Sequence, residues 1–159
     1  MKTRKLMVVV DESPATTRAL EYVAQIVAGR TNFRISLAHS LLEPPKELVE
    51  LRGAEKARLR TYKSQWIASE EMTEQRALKR ANAVLRRGGV DSAAVEAHFC
   101  YLVDGSRMVQ EVLTFAGVQK CDTVVIGRAS HSWLGALIEG DPAEEFVRKG
   151  EGLTIWVVE

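Results

Sequence analysis

Short apolar runs rich in β-branched residues punctuate the chain at Leu6 to Val10, Phe33 to Ala38, Ala93 to Cys100, Thr123 to Ile126 and Leu153 to Val158. Runs of this length and composition read as strands. Segments of helical periodicity lie between them. The first carries Ala19, Leu20, Val23, Ala24 and Val27 on one face, with Ser13 placed as N-cap and Pro14 at the first helical position. Asp104 is expected to cap a second helix whose apolar face is Met108, Val109, Val112, Leu113 and Ala116, ending near Gly117. Asp141, Pro142 and Glu144 open a third with the spacing of a capping box. Strand followed by helix, repeated, implies parallel strands joined by right-handed crossovers, and strands apolar on both faces imply a sheet covered on both sides. The expected class is therefore α/β, a doubly wound five-stranded parallel sheet in a single domain spanning residues 1–159.

The stretch from Lys46 to Arg87 has no proline and one glycine, Gly53. As a single helix it would be about 60 Å long at 1.5 Å per residue, longer than a compact domain of this size is wide. A break is expected: a mobile or loosely helical basic connector from Lys46 to about Arg60, then a core-packed helix from about Tyr62 to Arg87 with Ile67, Leu78, Ala81 and Leu85 inward, ended by Gly88-Gly89. This stretch holds 11 of the 22 Lys and Arg residues against six acidic ones. Without aromatic interleaving or a basic motif, that excess reads as a solvated face, and nucleic-acid binding is not expected.

The net charge of +1, from 22 basic and 21 acidic residues, speaks against a general polyanion binder. Cys100 and Cys121 show neither CxxC spacing nor a disulfide framework, and Leu6 to Val10 is stopped by Asp11, too short for a signal-peptide core or a membrane span. A cytoplasmic protein with reduced thiols is expected. Three scattered histidines without ligand spacing indicate no metal site. There is no GxSxG, no intact GxxxxGK[ST] and no Ser-His-Asp or Cys-His signature, so no catalytic residue is assigned and the protein is expected not to be an enzyme.

Ligands of open parallel sheets bind beyond the carboxyl ends of the strands, where successive connections leave in opposite directions. Two segments fall there: Asp11-Glu12-Ser13, and the loop Gly127 to Gly140 leading into the helix capped by Asp141. A glycine-containing loop feeding a helix N-terminus can cradle phosphate.

The opening KLMVVVDESPATTRALEYVAQIVAG, the segment ISLAHSLLEPP and the whole stretch from VDGSRMVQEV to the end resemble the universal stress protein family. The resemblance implies strand order 3-2-1-4-5, a homodimer through the last strand, residues 153–158, and in one branch an ATP site reading Gly-x2-Gly-x9-Gly-[Ser/Thr]. Here those positions hold Gly127, Ser130, Gly140 and Asp141, so the first and third match and the second and fourth depart. Asp11 matches the family's acidic residue after the first strand, and Ser40 stands where ATP-binding members have an apolar residue beside the adenine.

The departures have physical content. A serine adopts the left-handed geometry open to glycine only at a cost of about 1–2 kcal/mol. Asp141 caps a helix as well as Ser or Thr does, but it brings an anion where a phosphate would sit. Like charges about 4 Å apart repel by about 4 kcal/mol at an effective dielectric near 20. A magnesium ion held by Asp141 would reverse that sign, and Arg128 and His131 are candidate compensating donors. The expectation is a non-enzymatic stress-response or regulatory protein with a degenerate nucleotide loop, no resident cofactor and unidentified protein partners. The alternative is an ATP-binding switch or slow ATPase using magnesium. A receiver-like phosphoacceptor at Asp11-Glu12 lacks the further strand-end aspartate and lysine that such chemistry needs.

Overall fold

The computed structural model describes residues 2–41, 54–101, 107–128 and 141–159. In chain order they form β1 (Arg4–Val9), α1 (Pro14–Val27), β2 (Phe33–Leu41), α2 (Ala54–Arg87), a 3-10 turn (Ser92–Ala94), β3 (Val95–Tyr101), α3 (Met108–Val118), β4 (Thr123–Gly127), α4 (Pro142–Lys149) and β5 (Thr154–Val158). The strands make one sheet in the order β3-β2-β1-β4-β5, every pairing parallel. The sheet class and the helices on both faces are as the sequence indicates, and the strand order is the one the family resemblance implies.

The period of two along each strand sends alternate residues to opposite faces. On one face Leu6, Val8, Ile35, Leu37 and Val125 pack against Ala19, Leu20, Val23 and Val27 of α1 and Ala81, Val84 and Leu85 of α2. On the other, Met7, Val9, Ala38, Val124 and Ile126 meet Met108, Val109, Val112 and Leu113 of α3 and Ala143 and Phe146 of α4. Because β1 pairs with β2 on one side and β4 on the other, its carboxyl end is the point where the chain's connections diverge. The carboxyl end of β2 extends to Leu41, three residues beyond the run Phe33 to Ala38, because His39, Ser40 and Leu41 pair with Phe99, Cys100 and Tyr101. Trp156 of β5 faces α1, its ring edge-on to Tyr22 at 6.0 Å.

Helix α1 starts as its sequence dictates. Ser13 Oγ accepts the backbone N–H of Thr16, and Pro14 occupies the first turn. Helix α3 begins at Met108 with Arg107 at the cap position and no side-chain cap bond; Asp104, the expected cap, lies outside the described residues.

Helix α2 corrects the expected break. It is continuous over its 34 residues from Ala54, about 51 Å at 1.5 Å per residue; residues 46–53 lie outside the described residues. Among the described residues its buried side chains, Glu74, Ala77, Ala81, Val84 and Leu85, all belong to the second half. Ala81 and Leu85 point inward and Leu78 packs at the margin of the core, whereas Ile67, expected inward, is 40% exposed. A length limit applies to a helix that must lie wholly on the domain. Among the described residues the side chains this one buries lie in its second half, and the absence of proline and glycine from Ala54 to Arg87 lets it run on.

The two halves should answer differently to truncation. Leu85→Ala is expected to cost about 2–5 kcal/mol in urea unfolding, and Ile67→Ala less than about 1 kcal/mol.

Candidate functional site

At the carboxyl end of β1, Asp11 is 6% exposed and fixed by local bonds. Its Oδ1 accepts the Ser13 N–H at 2.8 Å and the Thr16 hydroxyl at 2.6 Å, while its own N–H donates to Thr16 Oγ1 at 3.2 Å. Its Oδ2 takes no hydrogen bond among the described residues. Asp11 thus builds the turn with one oxygen and presents the other as an acceptor at the strand end. Thr16, the residue that orients it, escaped the sequence reading; its five-residue spacing from a strand-end aspartate across a helix start is the signal.

His39, in β2, is buried, and its Nδ1 lies 2.9 Å from the Val10 carbonyl, so Nδ1 carries a proton donated to that acceptor. Glu74 of α2 is buried near it. Burial pushes the Glu74 carboxyl above the ordinary carboxylate range; the charge of His39 draws it back down and Glu71 adds to the rise. Glu74 was also missed from sequence, although it stands in the core-facing register of α2, three, four and seven residues before Ala77, Leu78 and Ala81. Arg76 pairs with Glu12 at 3.3 Å. Together these contacts dock α2 on the β1–α1 turn. Ser40 lies in β2 opposite Cys100.

Gly127 ends β4 against the start of α1. A Cβ there would lie 2.3 Å from the Ala15 carbonyl oxygen and 2.4 Å from its carbon, so this glycine is required by backbone packing, whatever it does for a ligand. Arg128 follows it, its N–H bonded to the Val158 carbonyl at 2.8 Å. The Arg128 guanidinium reaches Asp141 Oδ2 at 3.1 Å and Glu159 Oε1 at 2.6 Å. Arg18 of α1 donates to the Glu159 carbonyl at 2.9 Å, closing the network. Asp141 caps α4 as expected, its Oδ1 accepting the Ala143 N–H at 2.9 Å. Both oxygens of Asp141 are therefore engaged.

Of the sequence-derived candidates, the structure joins Arg128 and Asp141 directly, holds Gly127 beside them and places Asp11 at the adjacent strand end. Ser130, His131 and Gly140 lie outside the described residues. Among the described residues, no group of three or more His, Cys, Asp or Glu could hold a metal ion, and no helix is long and apolar enough to cross a membrane.

This geometry defines a doubly wound α/β domain with a candidate ligand crevice at the switch point of its sheet. The chain belongs to the universal stress protein family, whose model matches residues 2–152. No curated protein matches it. Among solved structures it is similar to a universal stress protein in complex with cAMP, at 17% identity and a TM-score of 0.61 over 100% of this chain and 98% of that one. A universal stress protein from Archaeoglobus fulgidus in complex with dAMP is 18% identical, with a TM-score of 0.60 over 100% of both chains. A member of the family from Burkholderia pseudomallei is 16% identical, with a TM-score of 0.68 over 97% of this chain and 94% of that one. At these identities the likeness is one of fold.

A carboxyl raised by burial favours its protonated form, so the stability linked to Glu74 is complete below the ordinary value of 4.5 and is lost as pH rises through the folded-state value. Glu74→Gln, neutral throughout, is expected to be more stable than the parent at pH 7, with the gain vanishing below about pH 4. Urea unfolding across this range measures it, and a pH-independent difference would contradict the assignment.

Proposed function

We propose that this protein is a non-enzymatic stress-response or regulatory member of its family, cytoplasmic, with a nucleotide loop that binds ATP weakly or not at all. The observation that carries this reading is the commitment of both Asp141 oxygens, one to the N-terminus of α4 and the other to Arg128. In the phosphate-binding pattern this position is Ser or Thr, which can cap and also donate to a phosphate. Here a carboxylate caps, and the nearby cation that could have met a phosphate is paired with it and with Glu159. A polyphosphate would have to displace an anion already seated at the helix terminus. Asp141 would also have to leave Arg128 to serve as a magnesium ligand.

The uncommitted Oδ2 of Asp11 supports the second reading, an ATP-binding switch or slow ATPase. An acceptor at the switch point suits the donors of a nucleoside, and relatives of this fold have been solved with cAMP and dAMP. Protein purified without added nucleotide, denatured and chromatographed, then titrated with ATP and magnesium by calorimetry, separates the two readings. No co-purified adenine nucleotide and no heat up to millimolar ATP are expected. Asp141→Ser is expected to raise ATP affinity at least about fivefold, since even partly screened like charges at about 4 Å repel by about 1–4 kcal/mol. Co-purified ATP, or tight magnesium-dependent binding by the parent, would overturn the first reading in favour of the second.

The proposed assembly is a homodimer through residues 153–158. Strand β5 pairs with β4 on one side only, leaving an edge of unpaired backbone groups and half-buried Ile155, Trp156, Val157 and Val158. Light scattering at micromolar concentration is expected to give a dimer mass, and a monomer mass would refute this assembly.

A further inference from the structure

The amino edge of the sheet, opposite the crevice just described, holds a cavity of about 350 Å³. It is enclosed by the turn after α1, the turn after α2, the start of β2 and the 3-10 turn, and every residue lining it is described. Both turns are shaped by glycines in the left-handed region, Gly29 at φ +71° and Gly89 at φ +85°. They are pinned by the bonds from Arg30 N to the Val27 carbonyl and from Val90 N to the Leu85 carbonyl, each 3.0 Å. The cavity wall is therefore preformed. Its floor is apolar, made by buried Val27, Ile35 and Val90 with Phe33 beside them. The charged residues lining it are Arg30, Arg34 and Asp91, a local net of +1 from two cations and one anion.

Those charges do not satisfy one another. Arg30 makes no side-chain hydrogen bond or ion pair among the described residues. Arg34 donates once, from Nη1 to the Phe33 carbonyl at 3.0 Å. Asp91 spends Oδ1 on the Ala93 N–H, capping the 3-10 turn. Two guanidinium forks, each suited to bidentate pairing with a planar or tetrahedral oxyanion, thus border an apolar hollow whose one carboxylate, Asp91, is paired with neither of them. We propose that this cavity is a second binding site, taking a small organic anion: one carboxylate or phosphate monoester on an aromatic or short aliphatic body. The body would sit on Val27, Phe33, Ile35 and Val90, and the oxyanion between Arg30 and Arg34. The volume lies at the low end for small-molecule sites, which fits a single ring better than a nucleoside triphosphate. The site is separate from the crevice at Asp11 and Asp141, and its ligand is independent of whether the family loop binds ATP.

The test is an amide NMR titration of the full chain with phenyl phosphate and with 4-phenylbutyrate, which distinguish phosphate from carboxylate. Inorganic phosphate serves as the charge-only probe and benzyl alcohol as the apolar-only probe. Saturable shifts are expected at Gly29, Thr31, Gly89, Val90 and Ala94, with Asp11 and Gly127 unmoved, for at least one amphipathic anion. Inorganic phosphate and benzyl alcohol are each expected to bind at least about tenfold more weakly, and Arg30→Gln and Arg34→Gln each to weaken the amphipathic anion about tenfold, with the melting temperature unchanged. Absence of saturable shifts with both amphipathic anions would overturn the proposal, as would equal binding of inorganic phosphate. Equal binding by the Arg30→Gln/Arg34→Gln double variant would also overturn it.

Discussion

Everything in this domain hangs on β1. It is hydrogen-bonded on both sides and buried on both faces, with Leu6, Met7 and Val8 each no more than 1% exposed. A strand in that position can be only apolar, and it must stop abruptly where the chain turns back over the sheet. Asp11 performs that stop. Its carboxylate closes the turn through Ser13 and Thr16, Ser13 caps α1, and the start of α1 then lies so close to β4 that only a glycine fits at residue 127. Two of the candidate site residues, Asp11 and Gly127, are thus fixed by the same packing that ends the central strand. The placement of Asp11 and Gly127 at adjoining strand ends follows from topology and packing.

The elements with one structural job were the ones readable from sequence. Strand interiors announce themselves by continuous apolar runs, and α1 and α4 by Ser13-Pro14 and Asp141-Pro142, because each signal reflects a local energy that tertiary contacts reinforce. Helix α2 was misread because its length was judged against the width of a domain. Its sequence is helical throughout, while the side chains it buries among the described residues lie from Glu74 onward and Ile67 is exposed. Periodicity near Glu74 was legible but counted only apolar positions, so a buried carboxyl in register with Ala77 and Ala81 went unnoticed. The pairing of Arg128 with Asp141 could not have been read at all. The residues are 13 apart, joined only through the folded ends of β4 and α4.

That pairing changes how the loop's departure from the phosphate-binding pattern is understood. Viewed from sequence, Asp141 is an uncompensated anion that repels a phosphate. In the folded chain it is half of an ion pair that also draws in Glu159 and, through the backbone, Arg18. Each of these partly exposed pairs contributes at most about 1 kcal/mol to stability, so their importance is geometric. They hold the guanidinium across the gap between the end of β4 and the first turn of α4, where the pattern would place a ligand's charge. The protein supplies there, from its own side chains, both the negative charge that a helix N-terminus favours and the cation that would have balanced it. A site completed in this way keeps the architecture of a nucleotide loop while removing much of the electrostatic reason to bind a polyphosphate. At the amino edge the reverse holds: Arg30 and Arg34 border an apolar hollow, and its one carboxylate, Asp91, caps the 3-10 turn and pairs with neither, leaving a net positive charge. Where a fold satisfies its charges internally it needs no ligand, and where it leaves guanidiniums beside buried apolar surface an external anion completes the pairing.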